Sequence, residues 1–391
     1  MTIDAIIIGG GASGLMCAVT AARRGKKVVV LEHARGAAQK VLVSGGGRCN
    51  FSNTNISADN FVSKNPDFCR SAISRYATRD ILAFMDRHKI SYVEKDNGQL
   101  FCNGSARLIV GVFLKECRDH KVKLVTGCEV QDVSRGRIFT VKTDKGSFSA
   151  PALVVASGGV SYQKLGATGI GYDIARQFGL NVNATRPGLV PFVLKKADRE
   201  YFGRLAGVSV NVELKYQTRR FNGGLLFTHK GLSGPVILQT SLYWEPGEKI
   251  VVDFLPGQDI HEDVKAEHGR GSRVLLKNYL GKFLPISLAE ALCKRVRIEQ
   301  KPLASYSSVE IQGLAPKLRS CEIVPAATED FETAEVTLGG VDTTGISSKT
   351  FESEKVEGLY FVGEVLDVTG QLGGYNLHWA WASGHAAGEN I

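Results

Sequence analysis

Residues 3–32 read IDAIIIGGGASGLMCAVTAARRGKKVVVLE, and the order strand, glycine turn, helix, strand in this stretch sets the fold class. Ile3 to Ile8 form an apolar run of the kind a parallel strand needs when both its faces are covered. Ala12 to Arg24 carry helical periodicity, Gly25 suits a helix exit, and Val28 to Leu31 form a second strand. Gly9, Gly11 and Gly14 spell G-x-G-x-x-G between the first strand and the helix, and Glu32 ends the second strand 18 residues past Gly14. Each part has a physical reason. Gly9 permits the tight turn, Gly11 lets a diphosphate approach the backbone, and Gly14 lets the helix lie close on the strand. The helix start at Ala12 offers unpaired N–H donors and partial positive charge to that diphosphate. Glu32 is placed to accept hydrogen bonds from an adenosine ribose. This fingerprint does not separate NAD from FAD.

Two further stretches narrow the choice. QKVLVSGGGRCNFSN fills residues 39–53. Its Ser44, Gly45, Gly46 and Gly47 form a flexible, side-chain-poor run against which a planar ring or a phosphate fits, and Arg48 adds a fixed positive charge. The competing reading is a mobile surface loop. YFVGEVLDVTGQLGGYNLHWAWASGHAAG fills residues 360–388, as apolar strand, glycine-rich turn and helix. Reduced flavin carries negative charge along one edge of its pyrimidine ring, and a helix N-terminus aimed there stabilises it. Gly373 and Gly374 allow close approach, and the helix begins near Tyr375 and Asn376. Gly363 and Glu364 end the preceding strand, with Glu364 a candidate acceptor for a ribityl hydroxyl. FAD is long and extended, so this final stretch would close the flavin end of a cofactor whose adenine end lies near residue 32.

Elsewhere the pattern predicts helices near 66–88 and 105–119, the second capped by Ser105. Strands are expected at 122–126, 129–133, 138–143 and 152–156, and GATGIGYDIARQFGL (166–180) is another glycine turn entering a helix. From 188 to 256 short alternating runs with turn residues suggest a small β domain. From 257 to 328 the pattern is helical, and AEVTLGGV (334–341) returns to the first style. The fold class is therefore α/β: a Rossmann-like FAD-binding domain in two segments, 1–187 and 329–391, with an inserted β-barrel-like domain and a helical subdomain between them.

The totals bound the function. With 391 residues, 43% hydrophobic and 22% charged, the chain is globular and long enough for two or three domains. No apolar run reaches bilayer length and no secretory leader opens the chain, so a cytoplasmic protein without a membrane partner is expected. Eight cysteines include no CxxC and no zinc-ligand spacing with histidine, which predicts reduced thiols and no metal. A net charge of +9 suits either a nucleic-acid partner or an anionic ligand. Residues 270–301 hold eight Lys/Arg against Glu290 and Glu299, but no aromatic-interleaved RNA motif accompanies them, which favours a solvated helix face. Oligomeric state is not legible.

The segments SGGGRCNFSN (44–53), ASGGVSYQKLGATGIGY (156–172), GLLFTHKGLSGPVILQTS (224–241) and GLYFVGEVLDVTGQLGGYNLHWAWASG (358–384) together resemble the bacterial flavoproteins of the BaiN/YhiN type, NAD(P)/FAD-dependent oxidoreductases. The resemblance spans essentially the whole chain. It implies that Gly9, Gly11, Ala12, Ser13, Gly14 and Glu32 hold the ADP half, with the Val130 backbone against adenine. It places Lys40, Gly46, Gly47, Arg48 and Cys49 by the diphosphate or flavin. Gly158, Gly363, Glu364, Gly374, Asn376 and Leu377 complete the pocket. Gln163, Ile170 and Leu372 stand where the family often has Pro, Asp and Thr.

The expected activity is hydride transfer between flavin and a small-molecule substrate. NAD(P)H, if used, would dock transiently, because no second dinucleotide fingerprint exists; otherwise another donor would serve. Candidate catalytic groups are His229 in FTHKG, titrating near neutral pH, Cys49 as a redox thiol with no neighbouring cysteine to pair with, and Tyr375. A structural role competes for each, as it does for His378. The alternatives are a flavoprotein acting on RNA, such as a tRNA-modifying enzyme, and a non-catalytic flavin-binding protein.

Overall fold

In the computed structural model, which describes residues 2–391, the strand β1 (Ala5–Ile8) is buried at every position. It lies centrally in a five-stranded sheet with β2 (Val28–Glu32), β3 (Lys123–Thr126), β4 (Ala152–Val155) and β5 (Leu359–Phe361), in the order β5-β4-β1-β2-β3. All neighbouring pairs are parallel. The apolar run read from the sequence is thus a central strand with both faces covered. β5, from the last segment of the chain, stands two places from β1.

One unit comprises the residues up to Pro187 together with Ala334–Ile391, and the other is Gly188–Thr333. In the first, helix α1 (Ala12–Arg23) packs against the last helix, labelled α3 (Tyr375–Gly388), and α2 (Ala106–Asp119) flanks them. Contact between α1 and α3 is close because Gly384 and Gly388, one turn apart, present no side chain. A Cβ on Gly384 would stand 2.3 Å from the Ser13 carbonyl oxygen, and one on Gly388 would stand 2.7 Å from that of Cys17. Helix α3 is buried almost all round, so its apolar residues show little periodicity. Trp379 Nε1 donates to the Gly363 carbonyl at 3.1 Å, Trp381 Nε1 donates to that of Phe51 at 2.9 Å, and the Trp381 ring stacks on Phe113.

An antiparallel meander, Val130–Arg135, Phe139–Thr143 and Gly146–Ala150, fills the path between β3 and β4. A second small sheet joins Asn50–Asn53, Gln99–Cys102 and Tyr92–Lys95. Ser105 caps α2 as expected, its Oγ accepting from the Arg107 N–H at 3.2 Å. The helix expected over 66–88 is two helices, Arg70–Arg75 and Thr78–Arg87. The break is at Ala77, which is extended and whose N–H is held at 2.7 Å by the Asp80 carboxylate, a cap that starts a new helix.

The second unit is built on a seven-stranded sheet. Its order is Cys321–Ile323, Ile250–Asp253, Ser209–Tyr216, Arg219–Phe227, Gly231–Ser233, Phe192–Val193, Ala327–Thr328. Only four peptide steps separate Ile323 on one edge from Ala327 on the other, about 14 Å at most. The sheet must curl back until its edges nearly meet, which is the barrel-like form. The helices Ile260–Gly269, Leu276–Leu280, Ile286–Arg295 and Ser308–Arg319 share that sheet's core, with Leu276, Leu288 and Leu318 in one cluster with Phe192, Phe227 and Ile250. Half of the basic run 270–301 is paired: Arg270 with Glu267, Lys277 with Glu290, Arg295 with Asp198 and Lys301 with Glu310.

Candidate cofactor site

The loops that leave β1, β4 and β5 emerge from the carboxyl ends of three adjacent parallel strands, where ligands bind in open α/β sheets. After β1, Gly9 has φ +108°, and a Cβ there would lie 2.3 Å from the Ala156 carbonyl oxygen. A Cβ on Gly14 would lie 1.9 Å from the Gly9 carbonyl oxygen. Both glycines are therefore demanded by the protein itself. Gly11 is different. Its φ is −78°, which any residue adopts, and a Cβ there meets nothing within 4 Å. Open space in front of Gly11 is what a diphosphate lying on the backbone requires. No side chain caps α1 and its first turn holds no acidic residue, so its leading N–H groups are left for an anion. These observations fit the diphosphate of a dinucleotide.

Ser13 is buried and its Oγ lies 3.5 Å from the Val362 carbonyl oxygen, tying α1 to the end of β5. Glu32 Oε2 accepts from the Gly10 N–H at 2.7 Å, and Oε1 accepts from the Ala34 N–H at 2.8 Å. The carboxylate thus braces the glycine turn, and since a carboxylate has about four acceptor positions, capacity for a ribose remains. Val130 begins its strand half-buried, opposite Thr143.

Lys40 Nζ donates to Glu364 Oε2 at 2.7 Å and to Ser161 Oγ at 2.8 Å. Glu364 Oε1 also accepts from the Thr337 N–H at 2.9 Å and from Ser161 Oγ at 3.2 Å. Protein donors therefore occupy both oxygens of Glu364, which the sequence reading had aimed at a ribityl hydroxyl. Gly158, with φ +74°, has Glu364 Oε2 as its nearest neighbour, and Gly363 faces Ser13.

The run expected as a flexible loop is folded. Gln39–Gly47 is a short helical element that kinks at Ser44 and leaves Gly45 and Gly46 left-handed. A Cβ on Gly46 would meet nothing within 4 Å, and Gly47 is nearly as open. The Arg48 guanidinium is exposed, 5.9 Å from the Phe101 ring centre. Cys49 is fully buried, and burial pushes its thiol up to about 12, so it stays protonated. A buried neutral thiol is a poor redox group. Cys49 also has a cysteine neighbour after all: Cys102 on the adjacent strand donates its N–H to the Cys49 carbonyl at 3.3 Å.

At the start of α3, Gly374 has φ +95°, and a Cβ there would lie 2.2 Å from the Ser52 carbonyl oxygen. Asn53 Nδ2 donates to the Gly373 carbonyl at 2.9 Å. The strand Asn50–Asn53 thus holds the bend, and no side chain caps the helix it leads into. Asn376 turns inward, its Oδ1 accepting from the Gly370 N–H and its Nδ2 donating to the Gly370 carbonyl, each at 2.8 Å. Leu377 is half-buried against the core. The Tyr375 ring meets Phe61 edge-on, and burial raises its phenol. His378 is structural: Nε2 faces the Tyr76 carbonyl at 3.1 Å and Nδ1 the Ser52 hydroxyl at 2.9 Å. With both nitrogens used and the ring buried, its pKa falls to about 4 and the imidazole is neutral.

His229 lies in the second unit, exposed in the turn after Arg219–Phe227. The structure therefore gathers Gly9, Gly11, Ala12, Ser13, Gly14, Glu32, Lys40, Gly158, Gly363 and Glu364 at one end of the core sheet, with His229 outside that unit. Sequence reasoning missed Ser52, Asn53, Ser161 and Thr337. Ser161 lay within a quoted family segment, but nothing local marked it as a lysine partner.

The model of one family, described as the HI0933-like protein Rossmann domain, matches residues 3–390. The chain belongs to that family. The HI0933-like chain is 42% identical over 390 residues to the ribosomal RNA dihydrouridine synthase of Escherichia coli (strain K12), covering 99% of this chain and 98% of that one. It is 31% identical to the 3-dehydro-bile acid delta(4,6)-reductase of Clostridium scindens (strain ATCC 35704 / DSM 5676 / VPI 13733 / 19), covering 98% and 97%. Its fold is also that of Mycobacterium smegmatis Sdh1 in complex with UQ1, at TM-score 0.50 and 15% identity, over 100% of this chain and 68% of that one. The resemblance read from the motifs holds along the whole chain, and this HI0933-like protein is a flavoprotein oxidoreductase with a Rossmann fold. Among the described residues no helix is long and apolar enough to cross a membrane.

Proposed function

We propose that this protein is an FAD-dependent reductase that saturates a carbon–carbon double bond conjugated to a carbonyl, with uridine in ribosomal RNA as its substrate. One observation carries the cofactor half of this reading. Two uncapped helix starts, of α1 and α3, belong to one unit, and the Lys40–Glu364 pair ties the loops after β4 and β5. The chemical half rests on the relatives' names. Dihydrouridine is uridine with its C5=C6 bond saturated, and a delta(4,6)-reductase acts on double bonds of a steroid. Both alkenes are polarised by a carbonyl, which makes the distal carbon a hydride acceptor. The higher identity to the RNA enzyme and a net charge of +9 favour the polyanionic substrate.

Bound FAD supplies hydride chemistry. This chain's residues bind and orient it: Gly11, Ala12 and Ser13 at the diphosphate, Glu32 toward the adenosine ribose, and the Val130 backbone beside adenine. Gly46, Gly47 and Arg48 would line the diphosphate and ring, and the start of α3, from Gly374 to Leu377, would close the flavin end. The donor is NAD(P)H, docking transiently.

The test has two stages. The purified protein should show a flavin absorbance that NADPH or NADH bleaches without oxygen. Ribosomal RNA from cells lacking this protein should then restore the absorbance and gain dihydrouridine, read by mass spectrometry. Restoration by a conjugated steroid enone and not by RNA would assign the small-molecule substrate instead.

A further inference from the structure

Resting on that reading, the reduction needs a proton as well as a hydride, and neither Cys49 nor His378 provides it. Cys49 is sealed and His378 has both nitrogens engaged. We infer that Tyr162 is the proton donor, with Lys40 as its positioning residue.

Tyr162 lies on the loop that leaves the carboxyl end of β4, next to Ser161, which Lys40 and Glu364 both grip. The Ser161 N–H also donates to Thr337 Oγ1 at 3.1 Å. The loop is thus fixed immediately before the tyrosine. Tyr162 itself is left-handed, at φ +61° and ψ 48°. For a bulky residue that conformation is strained, and strain of this kind gathers at functional sites. Here it turns the ring toward Lys40, whose Nζ lies 5.6 Å from the ring centre. The ring is half-buried, and among the described residues its hydroxyl makes no hydrogen bond. A phenol held in place without a partner is available to a substrate.

The charged groups facing this phenol are Lys40, Glu335 and Glu364. Burial, then Glu335 and Glu364, hold its pKa above the ordinary tyrosine value, so it carries its proton throughout the neutral range. Bound reduced FAD would supply a hydride, with its electron pair, to the distal alkene carbon. The phenolic O–H breaks, and its proton forms the new C–H bond at the carbon next to the carbonyl. Water returns a proton to the phenolate. FAD is left oxidised and the substrate has gained one H2.

The test compares wild type with Tyr162→Phe and with fluorotyrosine at 162, all as holoenzymes. Tyr162→Phe should keep its flavin spectrum and its bleaching by NAD(P)H, while reoxidation by RNA slows about 100-fold or more. Fluorotyrosine, a stronger acid, should restore reoxidation and move the alkaline limb of its pH profile down. Its 19F resonance should shift when a uridine-containing oligonucleotide binds the oxidised enzyme. Unchanged reoxidation in Tyr162→Phe, or an unmoved alkaline limb with fluorotyrosine, would overturn the inference alone. Wild-type enzyme reoxidised by neither RNA nor a conjugated enone would overturn the proposed function and this inference together.

Discussion

The Lys40 ammonium lies 2.7 Å from Glu364 Oε2, across a sequence separation of 324 residues. One partner follows the second strand of the chain and the other follows β5, and the ion pair joins the two segments that would hold a single cofactor. The lysine side chain is about a third exposed, so the Coulombic attraction alone contributes little, about 1 kcal/mol or less. Its value is geometric, because it also fixes Ser161 and the loop after β4.

Glu364→Gln should therefore weaken flavin binding rather than folding. We expect affinity for FAD to fall about tenfold, equivalent to roughly 1.4 kcal/mol, with little change in the melting temperature of the apoprotein. Fluorescence titration of apoprotein with FAD checks this. An unchanged Kd would separate the pair from the cofactor.

Gly11 and Gly14 should behave in opposite ways. Gly14→Ala drives a Cβ to within 1.9 Å of a backbone oxygen and should destabilise the protein by about 1–3 kcal/mol. A Cβ at Gly11 has no heavy atom within 4 Å, so the Gly11→Val apoprotein should melt close to wild type while retaining no flavin. Calorimetry and absorbance distinguish the two. A Gly11→Val protein that keeps its flavin would remove the diphosphate from this turn.

Acid should destabilise the fold through His378. Its folded pKa, about 4, lies below the ordinary histidine value of 6.5, so the unfolded chain binds the proton first. Stability is fully present above about pH 6.5 and is lost as pH falls toward 4, by an amount on the order of 3 kcal/mol. Denaturant melts of wild type and His378→Gln across this window should converge at the acid end. A constant difference between them would contradict the assignment.

The thiols should be inert. All eight cysteines are buried, and Cys49 in particular stays protonated. Ellman's reagent should label the native protein slowly and the unfolded protein fully, and Cys49→Ala should leave NAD(P)H-driven bleaching within a few-fold of wild type. Rapid labelling at Cys49, or loss of bleaching on its replacement, would restore the redox-thiol reading.

The fold was legible where periodicity and glycine spacing act locally. Residues 3–32 specify a βαβ unit by themselves, because a buried strand, a turn that excludes Cβ atoms and a helix of small apolar residues each leave a short-range mark. The motif could not say which glycines serve the protein and which leave room for a ligand. That distinction depends on Ala156 and the Gly9 carbonyl pressing on Gly9 and Gly14, and on nothing pressing on Gly11. Long-range polar partners were not legible. Glu364 was noticed as a strand-ending carboxylate, but Lys40, Ser161 and Thr337 reach it from distant segments, so their pairing has no signature in spacing. Helix α3 was legible from the glycine turn before it, but its packing face was not: buried on nearly every side, it lacks the apolar stripe that would mark which face meets α1.

The most direct test of the account is the structure of the protein crystallised with FAD. The diphosphate should lie within hydrogen-bonding distance of the Ala12 and Ser13 N–H groups, with the pyrimidine edge of the flavin at the N-terminal turn of α3 near Gly374. A dinucleotide bound elsewhere, or one whose ring lies away from that turn, would contradict it.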